Sequence, residues 1–298
     1  MSDERLPLVH AVTLGAVQGP TELLPVSSSG HLVLLPAMLG WPYQQLDAEI
    51  RKSFEVALHA GGAAALLIGL RKEVVEYLRS FRLHNLATLT LSFAPAALIA
   101  FRFERPIERR LSEPRPVALA LLGGSIAMAV ADGRPERRGR DDASLADAIV
   151  IGIAQAFALA PGVSRNGATL AAARWRGFRR ADANVISRQI ALPVIVGASV
   201  LKGARLATRE RPPGIGAGMA AGGAAAFSST LVSMRLIAML ERSRSLLPYV
   251  AYRTALGAGA LYALRRRERA RRELPASLDG HRPGTARRNG RAHPAVVQ

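Results

Sequence analysis

The sequence predicts an all-α protein that crosses a membrane several times. Three observations lead to this fold class: long apolar runs without charge, a positive mean hydropathy of +0.15 in a chain that is 21% charged, and short arginine-rich connectors between the runs. A chain with this much charge reaches a positive mean only when its apolar residues are gathered into blocks. A helix needs about 20 mostly apolar residues to cross a bilayer core.

The apolar segments, taken in chain order, give about six spanning helices and two interrupted stretches. The charge-free runs are Leu6–Thr21, Leu83–Phe101, Pro116–Ala131, Ala148–Ser164 and Pro212–Met234, and further apolar segments are Phe54–Leu70, Ile186–Leu201 and Leu246–Leu264. Many of their residues are glycine or alanine, which suits the close approach of helices in lipid.

Two stretches, Gly15–Leu39 and Gly152–Trp175, contain Pro, Gly and polar residues inside an apolar context. Irregular backbone at membrane depth is tolerated only where it is buried in protein or lines a wet cavity, so each predicts a re-entrant helix, turn, helix hairpin. The pairs G-A-V-Q and G-I-A-Q, then P-V-S-S-S-G and P-G-V-S-R-N-G, predict an internal duplication with halves of about 7–131 and 145–264. Helix counting makes the repeat inverted, with the hairpin tips meeting near mid-membrane.

The charge distribution separates one membrane domain, residues 1–264, from a basic tail, residues 265–298. The chain has 40 Lys+Arg against 22 Asp+Glu, and its last part combines many arginines with Pro and Gly, so we expect a disordered tail. A basic excess without interleaved aromatics or a known motif predicts no nucleic-acid partner. The absence of cysteine excludes disulfides, zinc–thiolate sites and a thiol nucleophile.

The first interrupted stretch carries candidate catalytic groups. Gln18 and Glu22 are spaced i, i+4 on one helix face, where an amide and a carboxylate oxygen suit a hard cation, and an ionisable group inside a bilayer is costly enough to suggest function. The serines Ser27, Ser28 and Ser29 either cap the following helix or include a nucleophile and phosphate ligands. His31 is either a packed residue or a proton shuttle.

Arg165, in the second stretch, is the sharpest single signal for phosphate. Its planar guanidinium matches phosphate oxygens in a bidentate manner, whereas the structural alternative is a buried ion pair with Glu22. An arginine, a carboxylate with a cation, serine hydroxyls and helix starts together indicate phosphoryl chemistry.

The two stretches resemble a known family. The segment from Gln18 to Leu32, QGPTELLPVSSSGHL, resembles the (E/Q)xxxE signature and serine–histidine stretch of the undecaprenyl-diphosphate phosphatases, the bacitracin-resistance membrane phosphatases. The segment from Pro161 to Thr169, PGVSRNGAT, is similar to their PGxSRSxxT signature. Phe54-Glu55-Val56 and Tyr252-Arg253 extend the likeness over roughly residues 7–264.

The resemblance implies hydrolysis of undecaprenyl diphosphate to the monophosphate and inorganic phosphate, assisted by Mg²⁺ or Ca²⁺, in a bacterial plasma membrane with the active site on the extracytoplasmic side. It implies catalytic roles for Glu22, Ser28, His31 and Arg165, with Gln18 beside Glu22 as a cation ligand. Residues that support phosphate binding would be Ser27, Ser164, Asn166 and Thr169. A homodimer is left open.

The sequence departs from the family pattern at several positions. Gln18 stands where many members have glutamate, Asn166 replaces a serine, His59 stands where glutamine is usual, and Ser187-Arg188-Gln189 interrupts an apolar and aromatic stretch. Three alternatives therefore stay open: a lipid-phosphate transporter or flippase, an inactive paralogue of the same fold, and a protein that binds membrane surfaces or nucleic acid through its tail.

Overall fold

The computed structural model describes residues 6–79, 83–207, 216–242 and 245–273. Within these ranges the regular secondary structure is helical, apart from an isolated bridge between Arg138 and Phe178. The predicted all-α fold class is therefore confirmed.

The first part of the chain forms six of the described α-helices, which we number α1 to α6. They are α1 (Leu8–Leu23), α2 (Ser28–Leu39), α3 (Ala48–Gly69), α4 (Arg71–Arg79), α5 (Leu83–Leu111) and α6 (Pro114–Asp132). A 3-10 helix, Pro42–Gln45, connects α2 to α3.

The second part continues with six more described helices. They are α7 (Leu145–Phe157), α8 (Arg165–Trp175), α9 (Arg180–Ala207), α10 (Gly216–Ser233), α11 (Arg235–Glu241) and α12 (Leu247–Glu273). A 3-10 helix, Arg140–Asp142, precedes α7.

Both interrupted stretches fold as helix, turn, helix. In the first, α1 ends after Leu23 and α2 begins at Ser28, so the turn contains Pro25. In the second, α7 ends at Phe157 and α8 begins at Arg165, with Gly162 in the turn at φ +100°. A residue with a Cβ is strained at this φ, so glycine is needed there.

Glycines allow the hairpin helices to pack closely on helices from the other part of the chain. A Cβ at Gly15 of α1 would lie 2.3 Å from the carbonyl oxygen of Gly222 in α10, and one at Gly61 of α3 would lie 2.2 Å from that of Gly223. Likewise, a Cβ at Gly152 of α7 would lie 2.6 Å from the carbonyl oxygen of Leu91 in α5. Thus α1 packs on α10, and α7 packs on α5.

The buried apolar residues lie beneath the two hairpins. One cluster joins α6, α7, α8 and α9 through Met128, Ile151, Leu170 and Ile190. A second cluster joins α1, α2, α3 and α10; it includes Leu14, Leu32, Phe54 and Met219. Each hairpin therefore packs against a separate cluster of buried apolar side chains, α1 and α2 in the second cluster and α7 and α8 in the first.

Two described helical segments, Leu86–Phe103 within α5 and Pro114–Asp132, are long and apolar enough to cross a bilayer by length and composition. Large apolar side chains are exposed on α5 and also on other helices, such as α7 and α10. Phe101 is 94% exposed, Phe157 70% and Val232 78%. Exposed apolar faces of this kind are typical of contact with lipid.

The chain divides into two compact units, Met1–Leu264 and Arg265–Gln298. The second unit begins inside α12, which runs on to Glu273, so the start of the tail is helical where the sequence predicts disorder. The segment RRRERARRE contains only strong helix formers, and its two glutamates offset part of the repulsion between arginines. The rest of the tail lies outside the described residues.

Candidate active site

The carboxylate of Glu22, one residue before the end of α1, is the centre of the candidate site. Its side chain is only 11% exposed. Ser28 Oγ donates to Glu22 Oε2 at 2.7 Å, Gln18 Nε2 donates to the same oxygen at 3.2 Å, and Arg165 Nη2 donates to Oε1 at 3.2 Å. The structure therefore brings together four of the residues that the sequence singled out, from both hairpins.

Ser28 and Arg165 occupy equivalent positions in their hairpins, as the first residues of α2 and α8. Each follows a serine N-cap with a left-handed backbone, Ser27 at φ 73° and Ser164 at φ 74°. Ser27 Oγ accepts from the backbone N–H of Gly30 at 3.2 Å, and Ser164 Oγ accepts from that of Gly167 at 3.1 Å. Both caps are buried, so they shape the helix starts that present Ser28 and Arg165.

Two polar atoms at the centre have no hydrogen-bond partner within the described part of the chain. They are Nη1 of Arg165 and Oε1 of Gln18, and both are buried. A buried donor or acceptor without a partner is costly, which makes these atoms the natural contacts for a ligand. The predicted ion pair between Arg165 and Glu22 is observed, and it leaves Nη1 available for a phosphate oxygen.

His59 of α3 also lies at the candidate site. From the sequence it is apparent only as a residue that stands where the family pattern has glutamine. Its Nδ1 lies 3.1 Å from Gln18 Nε2 and 3.8 Å from Glu22 Oε2. The available signal was an imidazole in an apolar helix, close after the Phe54-Glu55-Val56 segment. Gln18 and His59 both depart from the family pattern, and because their side chains are in contact, the two departures change the same part of the site.

Asn166 and Thr169 support the second hairpin. Asn166 Nδ2 donates to the carbonyl of Leu23 at 2.9 Å, which ties α8 to the end of α1. Thr169 is buried, its Oγ1 donates to the carbonyl of Arg165 at 2.9 Å, and it lies 2.6 Å from Ser187 Oγ. Ser187 in turn donates to Asn166 Oδ1 at 3.1 Å. Ser187, which has no apparent role in the sequence pattern, therefore orients Asn166.

His31 lies in the first turn of α2 with both ring nitrogens engaged. Nδ1 lies 2.8 Å from the carbonyl oxygen of Ser27, and Nε2 lies 2.7 Å from the hydroxyl of Tyr252 in α12. A carbonyl only accepts, so Nδ1 carries a proton and a neutral ring accepts from Tyr252 through Nε2. Its role as an acid or base therefore stays a prediction, and Tyr252 is the partner that the sequence did not reveal.

Arg253 of α12 joins the turns of the two hairpins. It is fully buried, and its guanidinium donates to the carbonyl of Pro25 in the first turn at 3.0 Å and to that of Val163 in the second at 2.9 Å. It also donates to Leu121 and Ser125 of α6. Since a buried cation needs this many acceptors, Arg253 fixes the distance between the helix starts that carry Ser28 and Arg165.

The second hairpin has a further anchor where α7 begins. The Asp147 carboxylate accepts from Arg138, from Arg176 and from Ser144, the N-cap of α7. Burial alone would raise the pKa of Asp147, but these hydrogen bonds outweigh it and hold that pKa well below its usual range. This ionised network fixes the entry to α7.

A cleft opens from the central carboxylate between the helices. Polar and charged residues at the cleft are Glu22, Arg165, Asn166, Asn184 and Arg188, and apolar residues are Leu23, Leu66, Leu70, Ala191, Ile237 and Leu240. A cleft with one polar group of residues and an apolar wall suits an amphipathic ligand that has an anionic head.

The donor set fits a divalent cation only in a limited way. Among the described residues, no group of three or more His, Asp or Glu side chains is placed to hold a metal ion. Glu22 and the unpartnered Gln18 Oε1 are hard oxygen ligands, as Mg²⁺ and Ca²⁺ prefer. Such a pair fits a cation that takes most of its remaining ligands from phosphate oxygens and water.

Comparison with known proteins decides the family. The sequence model described as "Bacitracin resistance protein BacA" matches residues 11–259. The chain belongs to the BacA family. The undecaprenyl-diphosphatase of Trichlorobacter lovleyi is 36% identical over 273 residues, which cover 87% of this chain and 98% of that protein. The undecaprenyl-diphosphatase of Geobacter metallireducens is 37% identical over 272 residues (85% and 97%).

Membership in the BacA family confirms the resemblance read from the two motifs. Every residue placed around Glu22 lies inside the matched range. Together with the exposed apolar helix faces, the family identifies the chain as a membrane protein.

Proposed function

We propose that this BacA-family chain hydrolyses undecaprenyl diphosphate to undecaprenyl phosphate and inorganic phosphate. One observation carries the proposal: the Glu22 carboxylate binds a serine hydroxyl on one side and a guanidinium on the other, at the polar part of an apolar cleft. The curated relatives at 36–37% identity carry the name undecaprenyl-diphosphatase. The product would be the lipid carrier for cell-wall precursors, and its recycling would give bacitracin resistance.

The reaction begins when the terminal phosphate enters the site and its oxygens take over the hydrogen bonds of Arg165. Glu22 accepts the proton of Ser28, and Ser28 Oγ attacks the terminal phosphorus. The bond from that phosphorus to the bridging oxygen breaks, so undecaprenyl phosphate leaves. Glu22 loses that proton to solvent and then accepts a proton from the water that attacks the phosphoserine. As the bond from phosphorus to Ser28 Oγ breaks, Glu22 returns the proton to Oγ and inorganic phosphate is released. In the direct alternative, Glu22 activates water and Ser28 only binds phosphate.

The surrounding residues support this chemistry by position. Arg165 stabilises the charge of the reacting phosphate, and its buried Nη1 supplies the additional donor. Ser27 and Ser164 hold the two helix starts, and Asn166 and Thr169 fix the turn behind Arg165. His31, paired with Tyr252, would supply or remove a proton at the leaving group.

A divalent cation would be held by Glu22 and Gln18 and by the diphosphate. When bound, it would neutralise the negative charge of the diphosphate and so favour attack on phosphorus. Gln18 contributes no charge, so this chain relies more on phosphate oxygens for the cation than a site with two carboxylates.

We further propose that α3, α5, α6, α9, α10 and α12 span the bacterial plasma membrane, and that the hairpins α1–α2 and α7–α8 enter it as inverted repeats. The reciprocal packing of α1 on α10 and α7 on α5 supports this arrangement. The site would then open to the extracytoplasmic side, and the basic tail would lie in the cytoplasm. A homodimer would add a second site without altering the first.

Hydrolysis is favoured over lipid transport because of the hydrogen bond between Ser28 and Glu22. A carrier of lipid phosphates needs the cation Arg165 but not a hydroxyl bound to a carboxylate base. Nucleophile and base in contact are the geometry of covalent or general-base catalysis.

The test is release of phosphate from farnesyl or undecaprenyl diphosphate by the full chain in detergent, with Mg²⁺, Ca²⁺ or EDTA. Cation-dependent release by the wild type, lost in Glu22→Ala and in Arg165→Ala, is expected. A folded wild type that binds the lipid diphosphate and releases no phosphate would contradict the proposal and favour a carrier.

A further inference from the structure

Arg188 of α9 is a second guanidinium in the cleft that contains Glu22 and Arg165. Its side chain is 20% exposed, so it lies mostly inside the protein. In the family pattern this stretch of α9 is apolar and aromatic, and the mechanism above makes no use of Arg188. A buried arginine in an apolar wall is costly, so a ligand that needs its charge is the natural explanation.

The ion pair between Arg188 and Glu73 lies at the edge of the protein. Arg188 Nε donates to Glu73 Oε2 of α4 at 3.1 Å, and the Glu73 side chain is 49% exposed. An ion pair with a partner in solvent is weak, and its carboxylate is readily exchanged for a phosphate. The Glu73 carboxylate is therefore a contact that an anionic ligand in the cleft can replace.

A third polar group lies beside Arg188 in the same cleft. Asn184, one turn earlier on α9, is 4% exposed and donates through Nδ2 to the carbonyl of Leu240 at 3.4 Å and to that of Arg180 at 3.0 Å. Its Oδ1 is buried without a hydrogen-bond partner among the described residues. Arg188 and Asn184 therefore form a second polar group, one turn apart on α9, in the cleft that also contains Arg165.

A diphosphate places two anionic groups next to each other, and Glu22, Ser28 and Arg165 serve only the one that reacts. The other phosphate is one bridging oxygen away, on the side of the prenyl chain, and the same cleft offers that chain an apolar wall of Leu66, Leu70, Ala191, Ile237 and Leu240. Arg188 and Asn184, both on α9, line this cleft as well. We propose that Arg188 is the binding site for the lipid-side phosphate, the group that stays on the prenyl chain after hydrolysis.

This inference rests on the proposed function, and it adds a specificity that the reaction alone does not require. With one guanidinium per phosphate, the cleft distinguishes a lipid diphosphate from a lipid monophosphate or from free phosphate by charge pairing at two points. It also slows the release of the lipid product, because Arg188 binds the phosphate that stays on the prenyl chain.

The test uses two ligands that are not hydrolysed, farnesyl monophosphate and inorganic phosphate, and measures their equilibrium binding to the full chain in detergent. Arg188→Leu is expected to weaken farnesyl monophosphate by about 10- to 100-fold, the loss typical of a hydrogen bond to a charged group. Inorganic phosphate, which binds where the terminal phosphate reacts, should change less than about twofold. Arg165→Ala should show the opposite preference.

Three further variants separate ligand binding from a structural role of the Arg188–Glu73 pair. Arg188→Lys keeps the charge but not the fork, so it should recover part of the affinity. Glu73→Gln removes the competing carboxylate and should bind farnesyl monophosphate at least as tightly as the wild type. Lys72→Leu removes an exposed cation from the same helix and should change nothing.

Equal losses in Arg188→Leu and Glu73→Gln would overturn the proposal, because the pair would then only anchor α4. A loss of inorganic phosphate equal to that of farnesyl monophosphate would also overturn it. In kinetics, Arg188→Leu should raise KM for farnesyl diphosphate about tenfold or more. If the wild type hydrolyses nothing, the proposed function fails, yet the two binding measurements still decide the role of Arg188.

Discussion

The two hairpins have the same backbone at their turns and different chemistry in their side chains. Ser27 and Ser164 cap α2 and α8 with nearly equal φ angles, and each accepts from the glycine N–H three residues later. The next position is Ser28 in one hairpin and Arg165 in the other, and both contact the carboxylate of Glu22. One structural element, used twice, thus presents a hydroxyl once and a guanidinium once, the proposed nucleophile and the proposed phosphate ligand.

The helices that precede the two turns, α1 and α7, also carry different side chains at equivalent positions. Gln18 and Glu22 in α1 both face the site, whereas Gln155 in α7 donates to the backbone carbonyl of Ser92 in α5 at 2.7 Å. Leu159 stands four residues after Gln155, where the first hairpin has Glu22. Within the described residues the second hairpin places no carboxylate at the cleft, because Asp147 of α7 pairs with Arg138 and Arg176 instead. Glu22 therefore contacts residues of both hairpins.

The largest effect is expected from Glu22→Gln, because it removes the single carboxylate that the two hairpins share. Loss of a general base typically costs 10²- to 10⁴-fold, so kcat for phosphate release should fall by about that factor. The isosteric amide preserves the shape of the site. Glu113→Gln, an exposed glutamate at the start of α6, is the matched control and should keep full activity. Activity within a few-fold of wild type in Glu22→Gln would show that the carboxylate is only structural.

The contribution of the second hairpin is tested at Arg165. Arg165→Ala should lower kcat/KM about 10²- to 10³-fold, as the loss of one donor to a developing anion does in other enzymes. Arg165→Lys retains the charge without the bidentate fork and should recover part of the loss. If Arg165→Lys were as inactive as Arg165→Ala while both fold, charge would not be the relevant property of this position.

Features that depend on local sequence could be predicted, whereas contacts between residues far apart in the sequence could not. The breaks in the hairpins and the residues Glu22, Ser28 and Arg165 were found because proline, glycine and polar residues are conspicuous inside apolar runs. The role of Arg253 could not be predicted, because its acceptors are backbone carbonyls. One of them, that of Pro25, is 228 residues away in the sequence. A carbonyl has no side-chain signature, and neither Tyr252 next to His31 nor Arg188 next to Glu73 can be inferred from local pattern.

The residues that hold the N-terminal ends of α1 and α7 also differ, and this difference should appear in the pH dependence of stability. Helix α7 has Ser144 as its N-cap and the ionised Asp147 in its first turn, whereas the N-cap position of α1 is Pro7, which makes no side-chain hydrogen bond. The folded-state pKa of Asp147 is lowered, so its stabilisation is present above the unfolded pKa of about 3.9 and is lost as the pH falls below it.

Asp147→Asn should therefore lower stability by about 3 kcal/mol at neutral pH, the typical cost of breaking a buried ion pair. The thermal midpoint in detergent should also depend less on pH below about pH 4 in this variant than in the wild type. Asp141→Asn, which removes a fully exposed carboxylate nearby, is the control and should leave both quantities unchanged. A variant as acid-sensitive as the wild type would show that other carboxylates dominate acid unfolding.

The smallest expected effects test whether the N-cap hydrogen bonds of Ser27 and Ser164 contribute equally to stability. Ser27→Ala and Ser164→Ala each remove one N-cap hydrogen bond, so each should cost about 1 kcal/mol, or about 2–4 °C in thermal midpoint. Glycine lacks the cap but fits the left-handed φ, so Ser27→Gly and Ser164→Gly should lose less than the alanine variants. Differential scanning fluorimetry of all four variants measures this directly. Equal losses in both hairpins would support a turn built twice by the same rule, and a large loss in only one would mean that the two turns share geometry without sharing its energetic cause.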